Sequence, residues 1–160
     1  VERREGAEGE RWAARVRNEL KPMDMEPITV QTAVNAPVEM AWEYWTTPQH
    51  IMQWNTAIDT WHCPSAENDL RVGGKFLYRM EAKDGSFGFD FGGVYDEVTE
   101  NQVIRYTIGD GRKVTVRFTG NGKETTVVET FDPEGINPLD MQRTGWQGIL
   151  DNFKKHVEEA

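Results

Sequence analysis

The chain has 160 residues, a net charge of −9 and 38% hydrophobic residues, which fits one ordinary domain able to bury a core. No apolar run approaches the roughly 18 residues of a membrane-spanning helix, and Cys63, the single cysteine, excludes an intrachain disulfide scaffold. The 27 acidic against 18 basic side chains disfavour binding to a nucleic-acid backbone, which relies on basic patches.

Residues 1–26 hold no apolar leader and alternate Arg with Glu, unlike a secretory signal or an acid-poor transit peptide. With the free cysteine, this sets the expectation of a cytoplasmic protein with no membrane insertion. Trp12, Val16 and Leu20 recur at the spacing of a short amphipathic helix, but the stripe is thin. The preferred reading of this extension is a frayed appendage. The other is a helix docked on the domain or on a second copy. The domain itself is expected over residues 27–160.

Alternation over Ile28–Val34 predicts a first strand. Pro37 suits a helix start. Val38, Ala41, Trp42 and Trp45 then fall on one helical face. Pro48 opens a second short helix with Ile51 and Trp54 facing inward. A strand is expected over Ala57–Cys63 and a turn over Asn68–Gly74. The period is then two: Phe76, Tyr78 and Met80 on one strand, Phe87, Phe89 and Phe91 on the next, with a hairpin signal at Asp84-Gly85 between them. Asn101, Gly109–Gly111 and Gly120–Gly122 separate three further strands, carrying Ile104, Tyr106 and Ile108, then Val114, Val116 and Phe118, then Thr125–Phe131.

A long helix is predicted from Pro138 to Ala160, with Gln142, Trp146, Ile149, Leu150, Phe153 and Val157 on one face. Gly145 and Gly148 inside it cost about 1 kcal/mol each relative to Ala. Their expected use is close approach of another backbone or of a ligand. Short turns imply an antiparallel sheet, and the order of elements implies an α+β fold with space between sheet and helix.

Four segments carry a family resemblance: Ala36–Trp54 (APVEMAWEYWTTPQHIMQW), Asp69–Phe76 (DLRVGGKF), Gly93–Val98 (GVYDEV) and Thr144–Phe153 (TGWQGILDNF). Their order resembles the START-like superfamily (SRPBCC, Bet v 1-like), and within it the group similar to the C-terminal domain of the activator of Hsp90 ATPase. The resemblance covers about 28–158. It implies the helix-grip fold, a curved antiparallel sheet wrapped around a long C-terminal helix, with two short helices after the first strand. It also implies a hydrophobic cavity between sheet and helix. Fold does not choose a function, because function sits in the cavity and rim.

The apolar residues expected on the cavity side are Trp42, Trp45, Trp54, Phe76, Tyr78, Met80, Phe89, Phe91, Tyr106, Phe118, Trp146, Leu150 and Phe153. Any one of them is better explained as plain core than as a ligand contact, and only as a set, through the cavity the resemblance implies, do they point to binding. Glu129 shares parity with Val127 and Phe131 and joins the candidates as an inward carboxylate, against the alternative that Val128 points in. Arg105 or Arg117 would be its partner, because a buried carboxylate must be paired or neutral. Asp59, His62 and Cys63 look like parts of a nucleophile or metal site, but neighbouring strand residues face opposite ways. His156 reads as structural at a helix end. His50 is a candidate for the cavity mouth. Gly88 and Gly92-Gly93 read as bends or bulges, with no phosphate-binding motif.

The leading expectation is a protein that binds a small hydrophobic molecule, lipid-like or flat and aromatic, through this aromatic set, without a cofactor or metal. No residue set demands catalysis. A cyclase, aromatase or hydrolase would need an inward acid–base pair such as Glu129 with Arg117, or His50. An Hsp90 co-chaperone is the second alternative. The eukaryotic activator carries an additional N-terminal domain, and 27 residues ahead of the first strand are too few for it.

Overall fold

The computed structural model describes residues 26–160, so the extension with Trp12, Val16 and Leu20 lies outside the described residues. Seven strands form one antiparallel sheet: β1 (Ile28–Val34), β2 (Trp61–Asn68), β3 (Lys75–Ala82), β4 (Gly88–Thr99), β5 (Val103–Ile108), β6 (Lys113–Gly120) and β7 (Thr125–Phe131). Their order is β1-β7-β6-β5-β4-β3-β2. Strands β2 to β7 therefore meander through short turns, and β1 closes beside β7. The sheet curls into a half-barrel around a long helix, which is the helix-grip fold.

Three helices complete the chain: α1 (Val38–Thr46), α2 (Pro48–Trp54) and α3 (Leu139–Glu158). The two short helices follow the first strand and carry the chain from one edge of the sheet to the other. Pro37 caps α1, and Pro48 forces Thr47 into an extended conformation, which divides the two helices. Each helix turns its apolar stripe inward: Ala41 and Trp42 from α1, Ile51 and Trp54 from α2.

Strand β2 starts later than the alternation suggests. It covers Trp61–Asn68 rather than Ala57–Cys63, and the turn begins after Asn68. The strand contains Pro64, which has no N–H to give a ladder. β2 is an edge strand paired only with β3, and its register shifts between His62 and Ser65. The proline is thus absorbed by an irregularity on an edge. A second register shift lies between Tyr95 and Glu97 of β4, not at its glycines. Gly93 instead makes room for the β5 backbone and an aromatic ring, since a Cβ there would run into the Thr107 carbonyl oxygen and lie 3.0 Å from Phe76 Cε1. Asn101 adopts φ 65° in the β4–β5 turn, where Asn tolerates the left-handed region.

Helix α3 is clamped along the outer edge of β1. Arg143 Nη1 donates to Thr29 O at 3.2 Å, Gln147 Nε2 to Gln31 O at 3.0 Å, and Lys154 Nζ to Ala33 O at 2.7 Å. Four helical residues rise about 6.0 Å and two strand residues about 6.7 Å. Arg143 and Gln147 therefore keep step with successive outward carbonyls of β1, which an edge strand would otherwise leave unpaired. Glu158 accepts from Asn35 N at 2.8 Å and from Lys154 Nζ at 2.7 Å, closing the far end of the clamp. Beneath, the C-terminal half of α3 is packed solid. Leu150 and Phe153 are fully buried and Val157 nearly so.

The fold depends on that packing. Phe153→Ala is expected to lower the unfolding free energy by about 3–5 kcal/mol. Ile136→Ala, at a site 90% exposed, should stay within about 0.5 kcal/mol of the parent. Urea unfolding curves distinguish the two, and a loss below about 1 kcal/mol at Phe153 would contradict a solid core there.

Candidate functional site

Under the N-terminal half of α3 the packing opens. A cavity of about 380 Å³ lies between that half of the helix and the inner face of the sheet. Its walls follow from strand parity. Phe76, Tyr78 and Met80 of β3 alternate with outward residues, so all three face in. Phe76 sits at the centre of an aromatic cluster, with the Tyr78, Tyr95 and Tyr106 rings 5.0, 5.3 and 4.8 Å away. Phe91 and Phe89 continue the wall on β4, and Phe89 is half exposed at the mouth. Phe87 belongs outside, against Trp61.

Trp45 and Trp54 close one end, their rings 4.7 Å apart, with Phe153 edge-on to both. Trp146 of α3 forms the roof. It stacks on Phe131 with centroids 4.0 Å apart and planes 8° apart. Gly145, one residue earlier, also lines the cavity, and a Cβ there would meet nothing within 4 Å. Gly148 serves the other expected purpose, since a Cβ there would lie 3.2 Å from the Ala57 carbonyl oxygen.

Ten of the fourteen sequence candidates thus share one wall or roof. The other four, Trp42, Phe118, Leu150 and Phe153, stand beside the cavity in solid core. Trp42 packs edge-on against Phe118 at 5.3 Å, and this pair seats α1 on β6. Tyr95, Ile104, Arg112 and Ile149 line the cavity without having been singled out for it. Parity with Phe91 and Tyr106 is the signal that points to Tyr95 and Ile104. Nothing in the periodicity marks Arg112, which enters from the β5–β6 turn with its Nε on Asp110 Oδ2 at 2.8 Å.

Glu129 points inward. It is 4% exposed, and its neighbours across the sheet are Val30 and Val116. Among the described residues its carboxyl has neither a hydrogen bond nor an ion pair. The expected partners are elsewhere: Arg105 pairs with Glu97 at 2.9 Å, and Arg117, paired with Val128 in the ladder, lies on the opposite face. Burial alone raises the Glu129 pKa from 4.5 to about 8, so the group stays protonated at neutral pH. The acid–base pair with Arg117 is therefore not formed.

Several other polar groups of the lining are engaged. Tyr95 donates to Asn68 Oδ1 at 2.5 Å. Gln142 donates to Glu134 O and Asn137 O and accepts from Glu134 N, while the Glu134 carboxylate accepts from Ile136 N and Asn137 N. These bonds shape the loop that leads into α3 at the cavity mouth.

His50 does not reach the mouth. It stacks on Tyr44 at 3.8 Å and shares a 2.9 Å hydrogen bond with His156. Burial and His50 lower the His156 pKa, so the pair disfavours the positive charge that the helix end would welcome. His62 and Cys63 face opposite ways. His62 is exposed, while Cys63 is buried with its thiol on Ser65 O, and burial raises its pKa. Among the described residues no helix is long and apolar enough to cross a membrane.

The fold and this walled space define a helix-grip protein of the START-like (SRPBCC) type. The chain belongs to the family described as activator of Hsp90 ATPase homolog 1-like protein, whose family model matches residues 35–158. Among solved structures it is similar to an AHSA1-like protein from Aeromonas hydrophila, at 40% identity over 82% of this chain and 93% of that one, with TM-score 0.76. It is similar to a protein from Cytophaga hutchinsonii at 54% identity, over 83% of this chain and 92% of that one, with TM-score 0.73. A protein from Chromobacterium violaceum shares 26% identity over 84% and 99%, with TM-score 0.70. A comparison with curated proteins gives no match.

The buried carboxyl has a thermodynamic signature. Between pH 4.5 and about 8 the folded chain keeps a proton on Glu129 that the unfolded chain releases, so its contribution to stability falls as pH rises through that window. Glu129→Gln removes the slope. It is expected to stabilise the fold at pH 7 by on the order of 3 kcal/mol and to change little at pH 4. Parallel stability–pH profiles for the two proteins would contradict a buried, unpaired carboxyl.

Proposed function

We propose that this protein binds a small hydrophobic molecule, lipid-like or flat and aromatic, in the cavity beneath α3. The observation that carries the reading is an aromatic-walled space of about 380 Å³, within the range of small-molecule sites. Its polar lining is sparse, as such sites require for orientation without loss of apolar contact. Burying about 250 Å² of apolar ligand surface contributes roughly 6 kcal/mol. Association entropy offsets much of that, so micromolar affinity is the expected scale. The proposed setting is the cytosol, where a free thiol such as Cys63 stays reduced.

The test is a titration of the isotope-labelled protein with fatty acids, sterols and flat polyphenols, followed by amide chemical shifts. Saturable shifts are expected around Trp54, Phe91 and Trp146, at micromolar to millimolar ligand. Gly145→Leu places a side chain into the open space over Gly145 and is expected to abolish them while leaving the rest of the spectrum folded. No shift with any compound would contradict the reading. It would favour surface contacts, with an Hsp90-type chaperone first because of the family description.

A further inference from the structure

We infer that Glu129 and Tyr106 together form a two-donor clamp for one neutral acceptor oxygen, such as a ketone carbonyl, on the molecule held in the cavity. This rests on the reading of the cavity as a binding site and names the polar feature its ligand carries.

Glu129 and Tyr106 are 4% and 8% exposed, both line the cavity, and among the described residues neither side chain has a hydrogen-bond partner. Buried polar groups are almost always paired, because an unpaired one forfeits its hydration. Two such groups on one wall form a site that a ligand atom would complete.

They share the inner face on either side of β6. Tyr106 stands on β5 opposite Val114, and Val114 opposite Phe131 of β7. Glu129 lies two residues from Phe131 on the same face of β7, so the two side chains occupy adjacent rows. The proximity is felt electrostatically, since a charge on Glu129 raises the Tyr106 pKa further.

The other charged and titratable groups facing this spot are, apart from Tyr78, committed. Arg112, from the β5–β6 turn, is held by Asp110. Tyr95 of β4 is bonded to Asn68, and Tyr78 of β3 stands beside Tyr95, with burial holding its phenol protonated. Glu134 folds its own loop. Helix α3 contributes Gln142, already bonded to that loop, and β1 contributes Val30.

The chemistry then selects the ligand group. At neutral pH a protonated carboxyl and a phenol each offer one O–H. A carbonyl oxygen has two lone pairs and accepts both. A cationic amine has no lone pair for either donor and meets Arg112 nearby. Above pH 8 Glu129 ionises and becomes an acceptor, so it repels the same oxygen.

The experiment compares 1-tetralone with tetralin, two apolar bicyclic molecules that differ by a carbonyl, by amide-shift titration at pH 6.5. The quantity read is the ratio of tetralone to tetralin affinity in each protein, which cancels the difference in hydration between the compounds. Glu129→Leu and Tyr106→Phe are each expected to lower that ratio about tenfold. Glu129→Gln keeps a donor and should hold the ratio within about threefold. In the parent the ratio should fall between pH 7 and 9, and in Glu129→Gln it should stay flat. Amide dispersion confirms that each variant is folded. If both compounds bind and the ratio survives Glu129→Leu and Tyr106→Phe, the clamp is refuted while the cavity stands as a binding site. If neither compound binds the parent protein, the binding reading itself fails and the clamp with it.

Discussion

The structure turns on how α3 is held. The helix is fastened along one edge strand by Arg143, Gln147 and Lys154, whose side chains take the outward carbonyls of β1. Its C-terminal half is pressed into core through Leu150, Phe153 and Val157. Its N-terminal half is propped by Trp146 lying flat on Phe131. The indole ring acts as a spacer. It gives the helix a firm seat on β7 without filling the space toward β3 and β4. A helix packed solid at one end and propped at the other leaves a wedge-shaped gap, and that gap is the cavity.

The sheet supplies the complement. Meander topology places the inward residues of neighbouring strands on one curved wall, and on β3, β4 and β5 those positions carry six rings. Rings in edge-on contact hold one another in place without flexible polar tails, so the wall keeps its shape when empty. Gly93 belongs to this arrangement, because its missing side chain gives Phe76 the room to stand at the centre of the cluster. Against that wall, Glu129 is an exception. Its neighbours in the ladder are valines, and a hydrophobic residue there would be the simpler way to stabilise the fold. A carboxyl kept in such a place costs stability at neutral pH, and buried titratable groups of this kind concentrate at functional sites.

Much of this could be read from the chain. Period-two alternation from Phe76 to Phe131 located strands β3 to β7 closely, because each strand has one buried face and a short turn with Gly or Asn. The helix stripe of α3 was equally plain. Cavity and core were not separable in the same way. Trp45 lines the cavity while Trp42, three residues earlier on the same helical stripe, does not. Periodicity reports which side a residue faces, and it says nothing about whether the facing space is filled. Glu129 shows the limit for polar groups. Parity left it open between the cavity and a solvated face, and the chain alone could not show that Arg105 and Arg117 sit on the face away from it. β2 was misplaced because its signal is interrupted by Pro64, and only its position at an edge makes that proline acceptable.

Glu129 reports most directly on how the cavity wall is built. The measurement is the carboxyl carbon shift of Glu129, in protein labelled at that carbon, followed from pH 3 to 10 and assigned with Glu129→Gln. A midpoint about 8 is the predicted result, because the group lies in a largely apolar wall and is paired with no cation. A midpoint near 4.5 would mean a solvated or paired carboxylate, and would contradict both the buried wall and the site built on it.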